Sequence, residues 1–396
     1  MISVNQQQGE PTAKMQNPVF IPGPTNIPEK LRRAADLPTM DHRSAHFGEI
    51  FLPALNGVKA VLKTREGEVF VFPGTGTGGW EAAITNTLSP GDRVLACRHG
   101  VFSQRWIDLC KRHGLDVVTV EAPWGDEIPV DRFEEILTKD TSHQIRAVLA
   151  THNETATGVT SDIAAVRRAL DAADHPAMLL VDGVSSIASI DFRMDEWGVD
   201  IAVTGSQKGF SLPVGLAITA FSPKALQAVE TAKLHRTFFD VRDMRNGTAY
   251  PYTPPVGLLH GLKISTEMLL SEGIENVYLR HRRIAEGVRA AVDAWGLELC
   301  AKKPERYSNS VTAVCTPQGF DATSIVTHAA AKYDVAFGAG LGDVAGKLFR
   351  IGHLGYLSDV LTLSGIATAE MAMVDLGLKI ELGSGVAAAQ EHFRTE

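Results

Sequence analysis

The strongest constraint on this chain is an alternation in its first half. Short apolar runs of β type recur at EVFVF (68–72), DRVLAC (92–97), LDVVTVE (115–121), IRAVLATH (145–152), MLLVD (178–182) and DIAVTGS (200–206). Helical patterns lie between most of them, at GWEAAITNTL (79–88), SQRWIDLCKRHG (103–114), RFEEILTKD (132–140) and DIAAVRRALDAAD (162–174). Runs this apolar are buried on both faces, and strands alternating with helices build βαβ units. The pattern predicts an α/β fold with a mostly parallel sheet flanked by helices.

The remainder divides the chain. Residues 1–18 are polar and read as a loose N-terminal arm, while the Pro/Gly-rich FIPGPTNIP (20–28) reads as an ordered loop. A polar, aromatic stretch, RTFFDVRDMRNGTAYPYTPP (236–255), interrupts the alternation, and a long helical region runs from Val256 to about Ala294. Strands at SNSVTAVCT (308–316) and KLFRIGH (347–353), with helices at DATSIVTHAAAKY (321–333) and near 358–381, predict a smaller C-terminal α/β domain. The expected layout is an arm over 1–18, a large domain over 19–282 and a small domain over 283–396, which suits a chain of 396 residues.

Composition excludes some functions. A net charge of −8 argues against a nucleic-acid or membrane-surface role. Cys97, Cys110, Cys300 and Cys315 show no C-x-x-C spacing and read as reduced thiols of an intracellular protein. The first residues lack the apolar core of a secretory signal, and no run reaches the roughly 20 apolar residues of a membrane span. The expectation is a soluble cytoplasmic protein.

In an open parallel sheet, ligands bind where the strands end. PGTGTGGW (73–80) follows the first run, RHGVFSQ (98–104) the second and THNETATG (151–158) the fourth. DGVSS (182–186) and QKG (207–209) follow the last two. Gly74-x-Gly76-x-x-Gly79 matches a dinucleotide fingerprint, yet a nicotinamide site also needs an acid at the end of the next strand, and there stand Cys97, Arg98 and His99. The glycines are better read as a monophosphate cup at a helix N-terminus, with an ordinary glycine-rich turn as the plain alternative. Asp182, at the end of an apolar strand, is either a structural cap or a partner for a protonated ring nitrogen. Lys208 is either an exposed turn residue or an amine whose burial frees it to act as a nucleophile toward a carbonyl. A phosphate cup, an acid and a lysine at neighbouring strand ends together fit pyridoxal 5′-phosphate.

The motifs PGPTN (22–26), GTGTGGWEAA (74–83), THNETATGV (151–159), LLVDGVSS (179–186), TGSQKG (204–209), AYPYTPP (249–255) and FRIGHLG (349–355) occur in this order. Over about residues 18–385 the sequence resembles the class V aminotransferases of fold-type I, closest to those that use glyoxylate with serine, alanine or aspartate. The resemblance implies a seven-stranded type of large-domain sheet and a homodimer with shared active sites, which could pair into a tetramer. It implies Lys208 as the Schiff-base lysine and proton shuttle, Asp182 against the pyridine nitrogen and Val184 beneath the ring. Phe102 stands where many relatives stack a tryptophan, a mild departure; a plain core role is its alternative. Thr155 would bond the ring's phenolic oxygen, and Thr75, Gly76, Thr77 and Gln207 the phosphate. Tyr250 and Thr253 would reach the phosphate of the partner subunit. Arg350 would bind the substrate α-carboxylate, its alternative being a surface salt bridge. Gly23, in the PGPTN loop, and Arg43, in DHRS (41–44), are further substrate-side candidates, although Arg43 could simply anchor the arm.

The activity this implies is ping-pong amino transfer from serine or aspartate, with alanine as a third donor, to glyoxylate, giving glycine and a 2-oxo acid. A lyase or a transaminase with another acceptor is the alternative on the same fold, and a nicotinamide oxidoreductase a more distant one. A cysteine desulfurase is disfavoured because residues 320–345 contain no cysteine. Neither His152 nor His353 is read as catalytic. Aspartate would need a second cationic or polar partner, for which Arg43 and His353 are candidates.

Overall fold

A computed structural model describes residues 18–245 and 250–395; most of the proposed arm and Ala249 of the AYPYTPP motif lie outside them. In chain order the strands are β1 (Val19–Phe20), β2 (Glu68–Gly74), β3 (Arg93–Arg98), β4 (Asp116–Glu121), β5 (Ile145–Thr151), β6 (Asn153–Glu154), β7 (Val159–Thr160), β8 (Met178–Asp182), β9 (Ile201–Gly205), β10 (Gly215–Phe221), β11 (Glu298–Leu299), β12 (Val311–Cys315), β13 (Ala336–Ala339) and β14 (Leu348–Gly352). Seven of them form the main sheet, in the order β2-β10-β9-β8-β5-β3-β4. Every pair is parallel except those of β10, which runs antiparallel to both β2 and β9.

The six apolar runs are six of these strands. Leu179, Leu180 and Val181 of β8 and Val203 of β9 are fully enclosed, because helices cover both faces of the sheet. Burying each such side chain contributes about 1.5–3 kcal/mol. Strand β10 carries the sequence GLAITAF and closes the sheet toward β2. A second sheet, in the order β1-β13-β14-β12-β11, lies over a separate hydrophobic cluster that includes Phe20, Ile284, Phe349 and Ile366. Val19 and Phe20 thus pair with Ala336 and Phe337, far away in sequence. The long helical region is two helices, Val256–Glu272 and Ile274–Ala294, broken at Gly273, whose φ of 87° no ordinary side chain adopts without strain. Among the described residues no helix is long and apolar enough to cross a membrane.

The helix Gly76–Thr87 packs directly on the sheet through Gly79. A Cβ there would lie 2.5 Å from Cγ1 of Val203 on β9. Gly79→Ala should therefore destabilise the fold by about 1–3 kcal/mol through overpacking. Urea denaturation checks this, and an unchanged midpoint would show that the helix can shift without cost.

Candidate active site

The parallel strands deliver their C-terminal residues to one edge of the main sheet. Asp182 ends β8, His152 and Thr155 follow β5, and Lys208 follows β9. Pairing sets Thr151 opposite Asp182 and Asp182 opposite Val203, so the three segments leave the sheet side by side.

Lys208 is 9% exposed. Its Nζ donates to the carbonyl of Pro22, and Thr25 N donates to Gln207 O at 3.2 Å, so the PGPTN loop lies across the lysine. Gly23 (φ 97°) makes this approach possible: a Cβ there would lie 2.6 Å from Cδ of Lys208. Burial, with the Arg350 charge adding to it, pulls the Lys208 ammonium down to about 8. Asp182 is 4% exposed and accepts a hydrogen bond from Val184 N at 2.9 Å. Burial pushes its carboxyl up to about 7, against the pull of that N–H.

Arg350, on β14, reaches into the same place from the second sheet. Its Nε donates to Ala339 O at 3.0 Å and its Nη1 to Thr155 O at 3.1 Å. Nη2 makes no hydrogen bond to the described residues. Burial lowers the guanidinium to about 10. Thr155 donates from Oγ1 to Ser185 Oγ at 2.7 Å, and Ser185 in turn donates to Asn153 O at 3.0 Å. Phe102 is half-buried on the first turn of the helix Val101–Arg112, with the Arg105 guanidinium 5.2 Å from its ring centroid.

The glycine cup is tight. A Cβ on Gly76 would lie 2.5 Å from Cγ2 of Val184, and one on Gly205 would lie 2.9 Å from Oε1 of Gln207 and 3.4 Å from Gly76 N. Gln207 Oε1 and Thr204 Oγ1 are buried without a partner. Thr75 and Thr77 flank Gly76 at the helix start with exposed side chains, and Thr75 makes no side-chain cap. Free N–H groups at a helix start and hydroxyls around a gap only glycine fits are what a phosphate needs, and the Gln207 amide lies beside them. No cluster of three metal-ligating side chains occurs among the described residues.

The remaining candidates make other contacts. Arg43 is exposed, its backbone N–H turned to Oδ1 of Asp41. Tyr250 is buried in its own chain, its hydroxyl bonded to Val71 O; Thr253 is exposed. His353 spends both ring nitrogens, on Thr312 Oγ1 at 2.9 Å and Asn309 O at 3.1 Å, and burial pulls it down to about 3. His152 bonds Ser186 Oγ at 2.8 Å and is pulled down to about 4 by burial. Burial disfavours the charged form of both rings. The sequence reading assigned no role to Ser185, Arg105, Glu154 or the Pro22 carbonyl.

A family model described as aminotransferase class-V matches residues 30–347, and the chain belongs to that family, whose cofactor is pyridoxal 5′-phosphate. It is 72% identical over 382 residues to an L-aspartate–glyoxylate aminotransferase of Paracoccus denitrificans, covering 96% of each chain. It is 52% identical to a serine–glyoxylate aminotransferase of Hyphomicrobium methylovorum, covering 95% of this chain and 94% of that one. The crystal structure of pyridoxamine–pyruvate aminotransferase from Mesorhizobium loti superposes with a TM-score of 0.91 at 27% identity, over 97% of this chain and 99% of the other. The residues fit the cofactor: an anion cup, a buried acid and a buried amine stand at adjacent strand ends.

Asp182 also gives a stability prediction. Held at about 7 against an ordinary 3.8, the group stabilises the apoprotein fully below its ordinary value, and that contribution is lost as pH rises through about 7. Asp182→Asn cannot ionise. In the cofactor-free protein its Tm should gain on wild type progressively between pH 4 and pH 7. Parallel Tm profiles for the two proteins would contradict the placement of a carboxyl buried away from water.

Proposed function

We propose that the enzyme transfers the amino group of a small L-amino acid, aspartate or serine foremost and alanine next, to glyoxylate, giving a 2-oxo acid and glycine. The observation that carries this reading is the convergence of buried Lys208, Asp182 and Arg350 on one crevice. The named activities of the 72%- and 52%-identical relatives supply the choice of acceptor and donors.

Pyridoxal phosphate, when bound, supplies an electron sink for the charge that develops at the substrate Cα. Gly76, Thr75, Thr77 and Gln207 would hold its phosphate, Asp182 its ring nitrogen, Thr155 its phenolic oxygen, and Val184 and Phe102 the two faces of its ring. Arg350, its Nε and Nη1 steadied on Ala339 O and Thr155 O, binds the substrate carboxylate through Nη2 and the remaining hydrogen-bonding capacity of Nη1. A planar guanidinium held at two points sets the direction of the Cα–H bond. Lys208, lowered to about 8, is in part a free amine at neutral pH and moves the Cα proton. The donor leaves as its 2-oxo acid before glyoxylate enters, so the kinetics are ping-pong.

The working form in this reading is a cytoplasmic homodimer. Phe238, 42% exposed, stacks on Tyr252 with ring centroids 5.3 Å apart, an apolar surface beside Thr253 that a second copy would cover. Thr253, its side chain exposed, is the better placed of the two proposed phosphate contacts to cross to a partner's site. Tyr250 is held by its own chain.

Glycine formation from glyoxylate with L-aspartate, L-serine and L-alanine in turn tests the reaction. A protein that makes no glycine with any donor would refute it. Lys208→Ala should fold and turn over negligibly; near-normal transamination would remove Lys208 from the mechanism. Arg350→Ala should weaken donor binding by roughly 2–5 kcal/mol, seen as a raised KM. An unchanged KM would place the carboxylate site elsewhere.

A further inference from the structure

One buried acid has no part in the chemistry above. Glu154 is fully enclosed, and both of its oxygens accept hydrogen bonds from backbone N–H groups. Oε2 receives Ser103 N at 2.9 Å and Phe102 N at 3.1 Å. Oε1 receives Ala156 N at 3.1 Å, with Phe102 N also within 3.3 Å. A carboxylate in an apolar setting is costly unless it is satisfied, so this arrangement is built rather than incidental.

Its geometry explains a local anomaly. The helix Val101–Arg112 begins after Gly100, which has no side chain to cap it. Orphan N–H groups in a first turn need an acceptor, and the helix dipole favours a negative one. Glu154 supplies that acceptor from a different strand, β6. Gly100 leaves the room for it: a Cβ there would lie 2.2 Å from Cδ of Glu154. The residue after Glu154 is Thr155, whose carbonyl holds Arg350 Nη1 at 3.1 Å and whose hydroxyl meets Ser185 at 2.7 Å. The carboxylate's charge also opposes the burial that depresses Arg350.

We propose that Glu154 is a positioning residue for amino transfer: its carboxylate ties the helix turn carrying Phe102 to the β6–β7 turn carrying Thr155, and so fixes the ring-stacking face and the substrate arginine together. This rests on the reading of the site as a transaminase centre. Displacements of about 1 Å at such a site can cost about 10²-fold in rate.

Glu154→Gln keeps the size and one acceptor but turns an N–H₂ toward N–H donors. Gly100→Ala displaces the carboxylate without altering it. Both should leave a folded protein that binds pyridoxal phosphate. Backbone amide exchange at Phe102 and Ser103 in the apoprotein should quicken at least tenfold, and more than elsewhere. The visible circular-dichroism band of the bound cofactor should change, and kcat should fall about 10²-fold with a raised donor KM. Wild-type exchange, band and kcat in Glu154→Gln would overturn the inference, as would a lowered Tm with kcat and band unchanged. If Glu154→Gln does not fold, Gly100→Ala decides by the same criteria. Wild-type protein that binds no pyridoxal phosphate would instead overturn the functional reading and this inference with it; a wild type that transaminates beside an equally active Glu154→Gln sinks this inference alone.

Discussion

Three groups that carry charge in water are buried at one edge of the main sheet, and the architecture around them makes this tolerable. Asp182, Lys208 and Arg350 are 4%, 9% and 6% exposed. Isolated, each would be pushed toward its neutral form, and the directions of their shifts follow that rule. Backbone groups from loops hold them: Val184 N on Asp182, the Pro22 carbonyl on Lys208, and the Ala339 and Thr155 carbonyls on Arg350. The parallel sheet delivers the segments carrying Val184 and Thr155 to one edge, and the second sheet brings Pro22 and Ala339 to meet them.

The second sheet matters for the same reason. Arg350 sits on β14, which pairs with β12 and β13, and β13 pairs with β1. The chain leaving β1 becomes the PGPTN loop over Lys208. Closing the crevice from above therefore depends on residues near 20 and near 350 being neighbours, with Phe20 and Phe349 in one apolar cluster. Arg350 and Lys208 thus come from different sheets, and the loop that leaves β1 of the second sheet lies over the lysine of the first.

Much of this was legible in the sequence. The apolar runs that became β2, β3, β4, β5, β8 and β9 were readable because double-sided burial removes polar residues from a strand. Asp182 and Lys208 stood out as charges where that burial ends. Strand β10 was not read, since GLAITAF follows the Lys208 turn with no intervening helix and pairs antiparallel. Strand β1 is two residues long, too short to carry a period. The break at Gly273 was passed over because a single glycine does not by itself end a helix. The support of the site was largely invisible: the holders are mostly backbone carbonyls and N–H groups, which every residue has. Glu154 alone left a trace, an acid in THNETATGV just past an apolar strand. Arg43, near the PGPTN loop in the chain, has an exposed side chain.

The most direct measurement is a visible absorption titration of the purified protein. L-Aspartate, L-serine and L-alanine are added separately, and glyoxylate last. The account predicts a yellow protein whose band one donor bleaches and glyoxylate restores, which registers the cofactor, the two half-reactions and the donor in one experiment. A protein that stays colourless with added pyridoxal phosphate, or a band that no donor changes, would contradict it.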